Sequence, residues 1–209
     1  MIYFMIDRNN IDLKKEIKTL KKLSGEERGM DIKYLVHRVT EKEGNRGLKR
    51  VISELKKNGY KFPDLSKIGN MDWISVSLPT IFLVASVKCF GWQEKDIIQM
   101  GREVLLFSYT IKIFIKYFLS IEKTFKIAAR NWKKYYSKGE LSIKYDNKKA
   151  NEIVIYLKNF KKHPYNCLYL TGLFSKLIQI ITGERVIKAV ETKCPFRGDS
   201  YHEFKIYWK

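Results

Sequence analysis

The chain is poor in cysteine, proline and arginine, and each scarcity closes off a class of protein. Three cysteines, Cys89, Cys167 and Cys194, make neither an even set nor a C-x-x-C pair. A disulfide-stapled scaffold is therefore excluded, and a reducing cytoplasm is the expected setting. With four prolines and no low-complexity tract or internal repeat, no stiff or flexible linker separates folded parts, so two subdomains sharing an interface are expected. Only nine of the 41 basic residues are Arg, the side chain that grips phosphates and base edges bidentately. The formal charge of +19 attracts phosphates, anionic lipid or acidic proteins without choosing among them.

Long hydrophobic runs are also missing. The apolar opening from Met1 to Ile6 is cut by Asp7 and Arg8 before a signal-peptide core forms. Ile74 to Phe90 contains Pro79 and Lys88, and Val104 to Ile121 contains Lys112 and Lys116. Neither reaches the ~20 uninterrupted apolar residues of a spanning helix. What is present is ample core material, 45% hydrophobic and 14% aromatic over 209 residues, so disorder is excluded.

Periodicity predicts helices first and strands after. Leu13, Ile17, Leu20 and Leu23 recur among lysines at helical spacing, giving a basic amphipathic helix over Ile11 to Leu23 whose stripe needs a partner. A second copy of the chain is the expected partner, hence a homodimer. Two further helices are predicted from Asp31 to Glu43 and from Arg46 to Asn58, the latter closed by Gly59. Another starts at Ser77-Leu78-Pro79 and stops at Gly91; the next runs from Gln93 or Glu94 to about Leu119, with a kink possible at Gly101. Ser120 suits the cap of a helix reaching Tyr135 or Tyr136. After Gly139 the period changes to two: Leu141, Ile143 and Tyr145, then Ile153, Ile155 and Leu157, form a hairpin across Asn147-Lys148-Lys149. A helix follows Pro164, Gly183 stops it, and strands at Arg185 to Thr192 and Tyr201 to Trp208 complete the pattern. The predicted fold class is α+β: a helical subdomain over residues 1–130, then a ββαββ antiparallel-sheet domain over 131–209.

One group of residues carries chemistry. Cys167, Glu191, Cys194 and His202 are all zinc-ligand types, spaced C-x23-E-x2-C-x7-H. The hairpin turn Pro195 to Asp199 brings Cys194 and His202 close. By spacing alone, two small buried thiols beside two surface strand residues are the favoured reading.

Cys167 with Thr171-Gly172, Glu191-Thr192-Lys193-Cys194, and Phe196-Arg197-Gly198-Asp199 leading to His202, Phe204 and Trp208 resemble the 4-vinyl-reductase domain family. The resemblance covers about Trp132 to Trp208. It implies a small-molecule-sensing domain, non-enzymatic here for want of a nicotinamide or flavin fingerprint. It also implies a structural zinc on the four residues, although family members carry Cys where this chain has His202. The implied ligand is hydrophobic or aromatic, with Phe107, Tyr117, Trp132, Tyr136, Leu173 and Phe174 as candidate pocket walls. A weaker likeness, over Asp31 to Leu119, is to bacterial haem nitric-oxide-binding proteins. Haem itself is not expected, because no His lies between Arg38 and Lys162 and the Y-x-S-x-R clamp of that family is absent. The second functional reading is a regulator that binds nucleic acid through its lysine-rich helices.

Overall fold

The computed structural model describes residues 11–107, 121–145 and 151–209. Its elements, in chain order, are α1 (Leu13–Leu20), β1 (Glu26–Arg28), α2 (Gly29–Lys57), β2 (Trp73–Ser75), α3 (Ser77–Phe90), α4 (Glu94–Phe107), α5 (Ile121–Tyr135), β3 (Glu140–Tyr145), β4 (Glu152–Lys158), α6 (Pro164–Thr182), β5 (Val186–Lys193) and β6 (His202–Trp208). They form two compact units. The first runs to Gln93 and takes in Lys162–Tyr165; the second holds Glu94–Lys161 and Asn166–Lys209. A boundary at residue 130 runs through α5.

In the first unit, Asp12 caps α1 by accepting the Lys15 amide at 3.0 Å. Leu13, Ile17 and Leu20 are buried within the chain. This corrects the argument for a homodimer, since the stripe already has its partner. Helix α2 is interrupted at Gly44, whose φ of 70° and ψ of 178° suit only a residue without Cβ. The two predicted helices are therefore present, joined at this break. Helix α3 is buried on all sides from Ser77 to Val87, the pattern of a core helix rather than an amphipathic one. Its hydroxyls are satisfied locally: Thr80 donates to the Val76 carbonyl and Ser86 to that of Phe82, each at 2.8 Å. Lys88, near its end, pairs with Glu54 at 3.2 Å, and its hydrogen bond holds the Glu54 carboxyl below the usual range. Among the described residues no helix is long and apolar enough to cross a membrane. The two-stranded β1–β2 sheet, three residues a side, is too short to register in the sequence. On it, buried Glu27 pairs with Lys162, and desolvation raises its carboxyl to about 7.

The second unit carries a four-stranded antiparallel sheet ordered β3-β4-β6-β5. Ile153, Ile155 and Leu157 of β4, with Phe204, Ile206 and Trp208 of β6, face Leu170, Phe174 and Ile178 of α6 and Trp132 of α5 across one core. Helices α4 and α6 meet backbone to backbone. A Cβ on Gly101 would lie 1.9 Å from the Tyr169 carbonyl oxygen, and one on Gly172 would lie 1.9 Å from that of Ile98. Gly101 is thus a close-packing position of α4.

Gly101→Ala and Gly172→Ala are each expected to destabilise the protein by about 1–3 kcal/mol, because the helices must separate to admit a methyl group. Thermal denaturation followed by circular dichroism reads this as a midpoint lowered about 2–4 °C per kcal/mol. An unchanged midpoint in both variants contradicts the close approach.

Candidate metal centre

The four candidate ligands lie together in the second unit. Cys167 is in the first turn of α6, Glu191 near the end of β5, Cys194 in the β5–β6 turn, and His202 at the start of β6. All four are buried, with His202 at 2% and Cys194 at 3% exposure. One ligand atom from each falls within 4.8 Å of the others.

The strand geometry that achieves this is irregular. Glu191 and Cys194 are three apart, and a regular strand would turn them to opposite faces. The ladder instead shifts register here: Glu191 pairs with Phe204, but Lys193 pairs with Glu203. The extra residue, Thr192, is exposed and its hydroxyl donates to the Glu203 carboxylate at 2.7 Å. This bulge resets the alternation. Lys193 then reaches outward to the Tyr201 hydroxyl at 2.8 Å, and Cys194 returns to the buried side with Glu191.

The turn after β5 fixes Cys194. Its amide donates to Asp199 Oδ2 at 2.7 Å, and its carbonyl accepts from Arg197 at 2.8 Å and Asp199 at 3.3 Å. Gly198 closes the turn at φ 92°, where a side chain is strained. On the facing strand, His202 Nε2 donates to the Phe160 carbonyl at 2.5 Å. That bond holds the ring so that Nδ1 points into the cluster, as an outer partner does for a ligating imidazole.

The sulfur separations suit a single ion. The two sulfurs are 3.6 Å apart, too far for a disulfide, and a tetrahedral zinc with ~2.3 Å Zn–S bonds sets them at about 3.8 Å. Cys167 Sγ lies 3.9 Å from His202 Nδ1; the matching tetrahedral separation is about 3.6 Å. Glu191 Oε1 lies 2.7 Å from the same nitrogen, a hydrogen bond that needs one proton between them.

The electrostatics show one proton-sharing group. A hydrogen bond from the Cys167 thiol, outweighing burial, lowers Cys194 to about 4, and the same bond, with burial, raises Cys167. Burial raises Glu191. Burial alone would lower His202, but its bonds with Cys194 and Glu191 overcome this and push it up to about 9. Two thiolates, a carboxylate and a neutral imidazole around a divalent ion leave one surplus negative charge. The Arg197 guanidinium stands 3.8 Å from Glu191 Oε2 and offsets it. The N-terminus of α6 adds a positive dipole end near Cys167.

The sequence identifies the ligand types and the turn, but it misses these supporting groups. The Phe160 carbonyl has no side-chain signature at all. Asp199 could have been found, because an acid closing a Gly-containing turn bonds back to earlier amides.

The candidate pocket residues stand elsewhere. Trp132 stacks on Tyr136 with ring centres 4.3 Å apart and meets Phe174 at 6.4 Å, while Leu173 packs against the same cluster. These side chains form the core between helices and sheet. Phe107 ends α4, its side chain outside the described residues, as is Tyr117.

No protein-family model and no curated protein matches the sequence. Solved structures do match. An H-NOX protein from S. oneidensis in the Fe(II)NO state aligns over 87% of this chain and 99% of its own, with a TM-score of 0.65 at 12% identity. The Fe(II) unliganded H-NOX protein from K. algicida aligns over 87% and 96%, with a TM-score of 0.61 at 13% identity. An oxygen-binding H-NOX domain related to soluble guanylate cyclases aligns over 87% and 95%, with a TM-score of 0.61 at 15% identity. This chain has the H-NOX fold. The likeness that was the weaker one in the sequence is therefore the one the structures carry, and none of these matches is a 4-vinyl-reductase domain.

The expectation that haem is absent is corrected by the same finding. Two of these neighbours are described in Fe(II) states and another H-NOX structure is described for heme distortion, so a missing sequence clamp is no ground for setting haem aside. The histidines present are nonetheless engaged as axial ligands would not be. His37 is exposed on α2, 3.8 Å from Glu41. His163 is buried, which lowers it to about 4, and its Nδ1 accepts the Tyr165 amide at 3.1 Å. His202 belongs to the four-residue cluster. These residues do not fit an axial position as they stand.

Deleting Thr192 should restore a regular ladder in which Glu191 and Cys194, then two positions apart, still share the buried face. In the native protein, reaction with Ellman's reagent is expected to be slow at Cys167 and Cys194 and faster at half-buried Cys89; the deletion should add no fast thiol. A new fast thiol in a folded deletion variant contradicts the assignment of Thr192 as the extra residue.

Proposed function

We propose that this chain is a small-molecule sensor domain in which Cys167, Glu191, Cys194 and His202 hold one zinc-class ion that clamps the start of α6 to β5 and β6. Support for sensing comes from the fold, whose solved examples include an oxygen-binding domain related to soluble guanylate cyclases. Support for the ion comes from one observation above the rest: four buried donors of zinc-ligand type within 4.8 Å of one another, with the sulfurs at nearly tetrahedral separation. Four protein ligands leave no open coordination position, so the ion is structural and does not activate water. Bound, it would deprotonate both thiols and leave His202 neutral, replacing the shared proton network with metal bonds.

Native mass spectrometry with elemental analysis is expected to find one zinc-class ion per chain. Cys167→Ser and Cys194→Ser should each remove it, and chelation should lower the thermal midpoint by roughly 5 °C or more, since binding energy is folding energy here. Metal-free protein whose midpoint ignores both zinc and chelator overturns the reading.

A second reading, haem binding, is favoured by the names of the structural neighbours. Titration with hemin followed by absorption decides it. A stoichiometric, sharpened Soret band that survives gel filtration supports it, and a spectrum equal to that of free hemin removes it.

A further inference from the structure

Alternation gives the second unit's sheet an outer face as distinctive as its core. With Ile153, Ile155 and Leu157 inward on β4, the positions between them face away, and register carries that face across the sheet. Val154 lies opposite Lys144 and Lys205, Tyr156 opposite Glu203, and Tyr207 opposite Glu152 and Lys188. Lys205 in turn lies opposite Val190, and Glu203 opposite Lys193. Lysines outnumber acids on this face. Of the acids, Glu203 is nearly buried and occupied by the Thr192 hydroxyl.

The aromatic rings are set among these charges. Lys188 Nζ lies 6.0 Å from the Tyr207 ring centre and Lys193 Nζ 4.8 Å from that of Tyr201. Tyr156 and Tyr201 meet edge to face at 5.8 Å. Both Tyr156 and Tyr207 are half-buried, so part of each side chain reaches the solvent. Along β6, Tyr207 is four residues beyond the partner of Tyr156, about 13 Å at the rise of a strand.

We propose that this outer face, through Tyr156 and Tyr207 set among Lys188, Lys193 and Lys205, binds single-stranded nucleic acid. Ring faces spaced along the open face of a sheet stack unpaired bases, and ammonium groups between them neutralise the intervening phosphates. A four-stranded face is too broad for a duplex groove, and base readout in a groove would favour Arg over Lys. An acidic polypeptide would satisfy the lysines but leave the ring faces unused. The surface is separate from the four-residue cluster, which lies on the buried side, so it stands or falls apart from the metal reading.

Fluorescence anisotropy of the full chain with a labelled oligo-uridine tests it. Binding is expected at low salt, with log affinity falling steeply as log salt rises. Tyr156→Ala with Tyr207→Ala should weaken binding by about tenfold or more, whereas the two Tyr→Phe changes should preserve it. Lys188→Glu with Lys205→Glu should weaken binding and flatten the salt slope. The proposal is overturned by absence of binding at low salt, by equal affinity of the Tyr→Ala variant when its circular dichroism matches the parent, or by poly-glutamate competing as well as unlabelled oligo-uridine.

Discussion

One extra residue in a strand organises the chemistry of this molecule. Were Thr192 paired regularly in β5 instead of bulged out of the ladder, Glu191 and Cys194 would face opposite sides of the sheet, and one of the two would be in water. With the bulge, both reach a buried point that Cys167 and His202 approach from α6 and β6. The bulge is held by bonds that use no ligand atom: Thr192 to Glu203 on one side and Asp199 to the Cys194 amide on the other. A bulge beside a site re-aims a side chain that regular pairing would misdirect.

The cluster also settles an otherwise costly burial. Two thiols, a carboxyl and an imidazole with almost no solvent access must share protons or a metal, because an unpaired charge there is expensive. The fixed Phe160 bond to His202 Nε2 and the nearby Arg197 would suit the proposed divalent ion, the first by orienting a lone pair and the second by offsetting the surplus negative charge. The β-sheet core, with Phe204 and Trp208 on the same strand, keeps water away.

Much of this was legible before any coordinates. Period changes place the ends of β3 to β6 and of α6 within a residue or two, because Pro164, Gly139 and Gly183 punctuate them strongly; the expected end of α4 at about Leu119 lies outside the described residues. The gap left between the helices expected at Asp31 to Glu43 and Arg46 to Asn58 contains Gly44, where the backbone takes a positive φ. The four ligand types and the turn joining two of them could also be named. The three-residue strands β1 and β2 could not, since pairs so short are set by tertiary contacts rather than by pattern. The bulge was hidden as well, for E-x-x-C reads identically with or without it. The apolar stripe of α1 shows the opposite failure: amphipathicity says that a partner exists, but not whether it belongs to the same chain. Haem was set aside on a missing mid-chain histidine and a missing clamp motif, and such local features are less durable than a fold that persists at 12% identity.

X-ray absorption at the metal edge of the purified protein tests the central claim most directly. Two sulfur neighbours at about 2.3 Å and two nitrogen or oxygen neighbours at about 2.0 Å are predicted. A shell of oxygen and nitrogen alone, or a spectrum unaltered by Cys194→Ser, would contradict it.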